Sequence, residues 1–202
     1  MDATANTVLS PDEFLRESEK YKDQFYRYIR RMLWDIAQAD DVFAEALLAG
    51  FENRHKFQRG TNFRAWMFQV ITNKCFVANR HTGRAFASLD EAGREPPASE
   101  EPPEFADILD HPEAFLEECG DEVFSAMQEI SEAQRACLLL RVAEQLSYKE
   151  IAEVLDIPLG TVMTHLARGR GRLRNALADY AKAQGLTRGR EAGPRAVDDE
   201  HE

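Results

Sequence analysis

In residues 159–174, LGTVMTHLARGRGRLR, arginines stand at 168, 170, 172 and 174 and a histidine at 165, in a 202-residue chain of formal net charge −11. Guanidinium groups make paired hydrogen bonds to phosphate and to the O6/N7 edge of guanine, so this cluster is suited to recognising anions and bases. A second polar set lies earlier: Phe57, Arg59, Gly60, Thr61 and Asn62 put an aromatic ring, a cation and hydrogen-bonding groups in one loop. Asn73, Lys74, Asn79, Arg80 and Arg84 follow, expected on the polar face of the next helix. Unstacking a base costs a few kcal/mol per step, which a pocket for the extruded base and a basic surface for the strand can recover. Phe57 is open to either role, base stacking or core, whereas Trp66, spaced helically with Phe63 and Val70, is expected in the core.

Bond-breaking chemistry has no comparable support. The five histidines, at 55, 81, 111, 165 and 201, are scattered, and there is no His-Glu-x-x-His, glycine-rich phosphate loop or serine elbow. Cys75, Cys119 and Cys137 are odd in number and lack Cys-x-x-Cys spacing, so plain thiols are expected, with no metal site. No catalytic residue and no cofactor is predicted: the chain reads as a binder.

The distribution of charge explains how an acidic chain carries a basic segment. From Asp90 to Glu132 there are fifteen Asp and Glu against Arg94 alone, a net of −14, so the rest of the chain carries about +3. The same stretch holds Pro96, Pro97, Pro102, Pro103 and Pro112, which discourage helix and keep a chain extended and solvated. The predicted organisation is a domain over 10–88, an acidic linker over 89–119, a domain over 120–187 and a disordered tail over 188–202. No apolar run approaches the roughly 20 residues that span a bilayer, and MDATANTVLSPDEF lacks the pattern of a secretion signal, so the cytoplasm is expected and membrane insertion is not.

Both domains read as helical, and the fold class is all-α with two modest cores. Tyr21, Phe25, Tyr28, Ile29, Met32, Leu33 and Ile36 recur at three- and four-residue steps, as do Phe63, Trp66, Met67, Val70 and Ile71. A shorter helix is expected over about Asp41 to Phe51. The second domain opens on Val123, Phe124, Met127 and Ile130, then shows capping boxes at Ser131 with Gln134 and Ser147 with Glu150.

After Ser147 a short helix carrying Ile151, Val154 and Leu155 breaks at Asp-Ile-Pro and restarts near Leu159, a helix-turn-helix. The second helix suits a major groove about 12 Å wide. Gly160 and Thr161 would set backbone N–H groups against a phosphate. Thr161, Met163, Thr164, Ala167 and Arg168 are the base-facing candidates, with His165 on the flank as a neutral surface residue and Arg170 and Arg172 for phosphates. Arginines at every second position spread around the helix, and Gly169 and Gly171 each cost it about 1 kcal/mol relative to alanine.

These residues carry a resemblance. LSYKEIAEVLDIPLGTVMTHLARGRGRLR resembles region 4 of the extracytoplasmic-function (ECF) sigma factors of bacterial RNA polymerase, within the sigma-70 family, and FRAWMFQVITNKCFVANR (63–80) resembles their region 2. The resemblance implies promoter recognition, DNA opening and transcription initiation with core RNA polymerase, with promoter DNA as duplex and melted strand and an anti-sigma factor as further partners. It places polymerase docking on the helix holding Asp41, Glu45 and Leu48, minus-ten recognition and melting on Phe57–Asn62 and the helix after it, and minus-thirty-five recognition on the second helix of the helix-turn-helix. The chain departs from the pattern at Ala44, where glutamine is usual, and at Phe51, where tryptophan is common. At Met163 and at Thr164-His165, where relatives carry a cation and Ser-Arg, readout is expected to shift toward apolar contact with a thymine methyl. The linker is expected to act as a solvated spacer, with two other roles open: a nucleic-acid mimic in the polymerase channel, or a cover over the basic helix. Two other readings differ in class, a sigma mimic that sequesters an anti-sigma factor and a stand-alone helix-turn-helix regulator acting as a dimer.

Overall fold

The computed structural model describes residues 8–82, 127–128 and 130–176, all helix and connecting turn, with the side chains of Arg174 and Ala176 excepted. The linker, the tail, Arg84, Val123 and Phe124 lie outside the described residues.

Helix α1 (Pro11–Lys20) begins at a full capping box: Ser10 Oγ accepts from the Glu13 N–H at 3.2 Å and Glu13 Oε2 accepts from the Ser10 N–H at 2.8 Å, with proline at the first position. Helix α2 (Lys22–Met32) buries Phe25, Tyr28, Ile29 and Met32, the three- and four-residue stripe read from the sequence. A 3₁₀ turn (Ile36–Gln38) leads into α3 (Ala39–Glu52), slightly longer than expected at both ends. Helix α4 (Phe63–His81) buries Phe63, Met67, Phe68, Ile71, Thr72, Cys75 and Asn79. Gly50 lets α3 and α4 approach closely: a Cβ there would stand 2.8 Å from Met67 Sδ and 3.2 Å from Phe14 Cζ.

Helix α5 (Glu132–Val142) is capped by Ser131, whose Oγ accepts from the Gln134 N–H at 3.4 Å. The expected box is only half made, because Gln134 Oε1 is buried without a hydrogen-bond partner. Helix α6 (Tyr148–Leu155) has the complete Ser147–Glu150 box. Helix α7 (Leu159–Ala176) packs across α5 and α6. Its crossing with α5 depends on Gly169, where a Cβ would meet Leu138 Cδ1 at 2.9 Å, so this glycine serves packing rather than fraying the helix.

The two cores expected from the sequence are one. Buried residues from Leu9 to Leu166 form a single cluster, because α5 packs on α2 and α6 packs on α4. Tyr28 of α2 bonds Thr72 of α4 at 2.8 Å inside it, and burial holds the Cys137 thiol of α5 up at about 12 and that of Cys75 higher still. Neither cysteine is a reactive thiolate in this state.

Candidate nucleic-acid interface

The turn of the helix-turn-helix is set by Asp156, which ends α6 in the left-handed region at φ 52° and donates its N–H to the Ala152 carbonyl. Short polar residues tolerate that region, and Pro158 then stands just before α7, its carbonyl accepting from the Thr161 and Val162 N–H groups. Val162, His165, Leu166 and Gly169 face inward from α7. At 100° per residue the opposite face carries Gly160, Met163, Thr164 and Ala167, with Arg168 and Arg172 along one flank and Arg170 along the other. The arginines therefore border an uncharged central strip, in which Met163 is 53% exposed. No acid occurs in the whole helix.

Two expectations on this helix are corrected. His165 is buried, with neither ring nitrogen hydrogen-bonded, and burial reinforced by Arg168 holds its pKa below the usual value, so it is a neutral core residue. Position 165 lies one turn before Gly169, which packs against Leu138 of α5. The Thr161 N–H donates to the Pro158 carbonyl at 2.9 Å and is not offered to a phosphate. Thr164 Oγ1 likewise donates to the Gly160 carbonyl at 2.9 Å.

The loop before α4 is a tight turn. The Thr61 N–H and Oγ1 both donate to the Gln58 carbonyl, and Gly60 takes φ 87° at the third position, where a turn of this kind needs a left-handed residue. Arg59 donates to Glu13 Oε2 at 2.5 Å and to the Val8 carbonyl, and its guanidinium holds the Glu13 carboxyl down at about 2. Asn62 caps α4, its Oδ1 accepting from the Ala65 N–H. Phe57 is buried against Phe63 and Trp66, with ring centres 5.6 and 5.5 Å away, so it and half-buried Trp66 form one aromatic cluster. Asn73 and Arg80 are exposed, and Lys74 pairs with Glu45 of α3 at 3.1 Å. Asn79 is the exception: it is fully buried, donating to the Met32 carbonyl and accepting from the Trp34 N–H, both at 3.0 Å. It fixes the end of α2 and does not line the polar face.

On α3, Asp41, Glu45 and Leu48 share one exposed face, opposite buried Val42, Ala46 and Gly50. Leu48 is 58% exposed on that face, beside Asp41 and Glu45.

Comparison with known proteins bears on both halves. The family model for sigma-70 region 2 matches residues 18–85, and that for sigma-70 region 4 matches residues 121–173. The ECF RNA polymerase sigma factor SigE of Mycolicibacterium smegmatis is 30% identical over 89% of this chain and 67% of its own. The RNA polymerase sigma-H factor of Pseudomonas aeruginosa is 30% identical over 78% of this chain and 82% of its own. SigW of Bacillus subtilis, also an ECF sigma factor, is 27% identical over 83% and 90%. The chain belongs to the ECF sigma factors. Its fold is shared with the sigma factor RpoE of Bartonella quintana, solved with the anti-sigma factor NepR (TM-score 0.61, 21% identity, 83% of this chain and 98% of that one). CnrH, solved with the cytosolic domain of CnrY, has a TM-score of 0.58 at 20% identity, covering 85% and 90%.

In this sigma factor the region 4 helices lie directly on region 2, a contact invisible in the sequence. Arg135 of α5 is fully buried, its guanidinium 3.7 Å from the centre of the Trp34 ring, and it donates to the carbonyls of Met32 and Met127. The Trp34 indole N–H donates to Glu132 at 3.2 Å, and burial raises the Glu132 pKa. On the other side, Asn62 donates to Glu150 of α6 at 2.8 Å, Arg64 to the Glu144 carbonyl at 2.9 Å and Gln69 to the Glu153 carbonyl at 3.4 Å.

Proposed function

We propose that this ECF sigma factor binds bacterial core RNA polymerase through Asp41, Glu45 and Leu48, reads the minus-thirty-five element with α7, and reads and melts the minus-ten element with the 57–62 turn and the polar face of α4. The observation that carries the reading is the outward face of α7: an uncharged strip bordered by arginines, on the second helix of a helix-turn-helix, in a chain whose region 2 match precedes it. Such a strip in a major groove puts the arginines against the two phosphate walls and Met163, Thr164 and Ala167 against base edges. Met163, standing where a cation is usual, favours a thymine methyl over guanine.

The assignment of regions follows: 10–88 for polymerase and the minus-ten element, 120–187 for the minus-thirty-five element, 89–119 as the acidic linker and 188–202 as tail. Both family matches fall inside the two domains. The sigma factor supplies recognition and opening while phosphodiester chemistry belongs to the polymerase, so it acts in the cytoplasm without enzymatic activity of its own. Among the described residues no helix is long and apolar enough to cross a membrane. An anti-sigma factor is the expected regulatory partner, since a protein of the same fold, RpoE of Bartonella quintana, was solved with one.

The test is reconstitution. Sigma-free core polymerase, the purified chain and promoter fragments from its own genome are expected to give discrete transcript starts that are absent without the chain. Asp41→Lys with Glu45→Lys is expected to abolish both polymerase binding and these transcripts; unchanged transcripts would overturn the assignment of α3.

A further inference from the structure

We infer that Glu13 of α1 is a positioning residue for minus-ten recognition: it grips Arg59 in the middle of the 57–62 turn and so fixes the angle at which that turn meets the melted strand. This rests on the promoter-reading function proposed above and gives Arg59 a particular part in it, a strut to α1 in place of a phosphate contact.

The turn is held at three points. At one end Phe57 is buried against Phe63 and Trp66. At the other, Asn62 caps α4 by accepting from the Ala65 N–H. A loop fixed only at its ends can still swing about the line that joins them, and Gly60, at φ 87° with nothing within 4 Å of where a Cβ would stand, does not brace it. The third point is Arg59, which reaches across to α1, donating to Glu13 Oε2 at 2.5 Å and to the Val8 carbonyl at 3.3 and 3.4 Å. Gln58, Gly60 and Thr61 are thereby presented as an exposed rim in one orientation.

The acceptor is itself held in place without Arg59. Glu13 Oε2 also accepts from the Ser10 N–H at 2.8 Å, so the capping box of α1 sets the rotamer of the carboxylate. Phe14, the next residue, is 1% exposed and meets Phe51 and Phe63 edge-on, each with ring centres 5.7 Å apart, which anchors α1 to the head of the helix that the turn precedes. Arg59 and the Ser10 cap together hold the Glu13 carboxyl down at about 2, so the pair is fully charged near neutral pH.

Arg59 keeps 36% of its side-chain surface exposed and Glu13 27%, and an ion pair at that exposure adds little to stability. What it supplies is geometry. A charge-assisted bond is directional, and recognition weakens when the groups that meet the ligand are displaced by about 1 Å. An Arg59 kept for phosphate would behave in the opposite way, since removing the Glu13 charge would then release a cation to the strand and tighten binding.

The experiment uses holoenzyme reconstituted from core polymerase and the full chain, either wild type or carrying Glu13→Gln, Arg59→Ala or both. Glutamine also serves a capping box, so Glu13→Gln removes the charge and spares α1. Affinity is read, at two salt concentrations, for a single-stranded non-template minus-ten oligonucleotide of the selected sequence and for the same strand substituted one base at a time. Each single variant is expected to lose about fivefold in discrimination between matched and substituted strands, and the double variant to lose no more than either, as one shared contact requires. A misfolded fraction would reduce binding of both strands alike and leave their ratio unchanged, so the ratio reports on the turn. Tighter binding of every strand by Glu13→Gln, with a salt dependence steeper by about one unit, would put the released Arg59 on a phosphate and overturn the proposal. Unchanged discrimination in Glu13→Gln overturns it too, as do losses that add in the double variant. A wild-type holoenzyme that binds matched and substituted strands equally would instead overturn the minus-ten reading itself, so the two failures are told apart.

Discussion

The guanidinium of Arg135 lies 3.7 Å from the centre of the Trp34 ring and carries hydrogen bonds to two main-chain carbonyls, those of Met32 and Met127, so one side chain ties α5 to the end of α2. One face of that plane stacks while its N–H edge donates, which only a flat, delocalised cation allows.

Replacing it therefore has a defined cost. Arg135→Ala removes the Arg135 donor from the Met127 carbonyl and one of two donors from the Met32 carbonyl, which keeps Asn79, and it removes a desolvated cation–π contact, a loss of about 2–4 kcal/mol. Arg135→Lys is expected to restore little of this, because an ammonium cannot stack flat and fork to both carbonyls. Urea unfolding of the three proteins at neutral pH checks both statements.

Glycines 169 and 171 are expected to respond in opposite directions to alanine. At 169 the new Cβ meets Leu138, itself packed in the core, and the clash of about 1–2 kcal/mol outweighs the helix propensity gained. At 171 nothing lies within 4 Å, so the variant is stabilised by up to about 1 kcal/mol. Thermal melts of Gly169→Ala and Gly171→Ala, one lower and one higher than wild type, are the expected pair.

His165 gives the protein a pH dependence of definite sign. Its folded-state pKa is depressed below the ordinary 6.5 by burial and by Arg168. Below 6.5 the unfolded chain takes up a proton that the folded chain refuses, so stability is lost as pH falls from 6.5 toward the folded value and is untouched above it. Glu13 and Glu150, both held below 4.5, lose their contributions only at lower pH. His165→Leu is expected to flatten the denaturation midpoint between pH 5 and 7; an unchanged slope would place the sensitivity elsewhere.

Met163 sets the promoter preference at one base pair. Met163→Arg is expected to move selection at the facing position from thymine to guanine, with about 1–3 kcal/mol of discrimination. The same change adds a cation to the groove, steepening the salt dependence of binding by up to about one unit if it also meets a phosphate. Selection of bound duplexes from a randomised minus-thirty-five pool, by both proteins at two salt concentrations, reads both effects.

Much of this was legible before any coordinates. The Ser147–Glu150 box, the break at Asp156–Pro158 and the inward Val162–Leu166 pair follow from local chemistry, and the helix-turn-helix needs little else. The Ser10–Glu13 box is equally local, its Ser-Pro-Asp-Glu spacing being the same signal. Faces that depend on a distant partner were not legible. His165 and Asn79 are polar and helical, and only the tertiary packing around one and the Met32 carbonyl beside the other decide that both are buried. Arg135 sits in Ala-Gln-Arg-Ala-Cys, where nothing local marks a cation destined for an indole about a hundred residues earlier. Gly169 and Gly171 look alike in sequence, and the neighbouring helix alone distinguishes them.

Permanganate oxidation of unpaired thymines tests the central claim most directly. Core polymerase with a promoter selected by this chain is expected to show reactive thymines around the minus-ten element only when the chain is present. Asn73→Ala with Arg80→Ala is expected to lose them while polymerase binding persists. A chain that binds polymerase and the promoter duplex yet leaves every thymine protected would contradict the account of region 2.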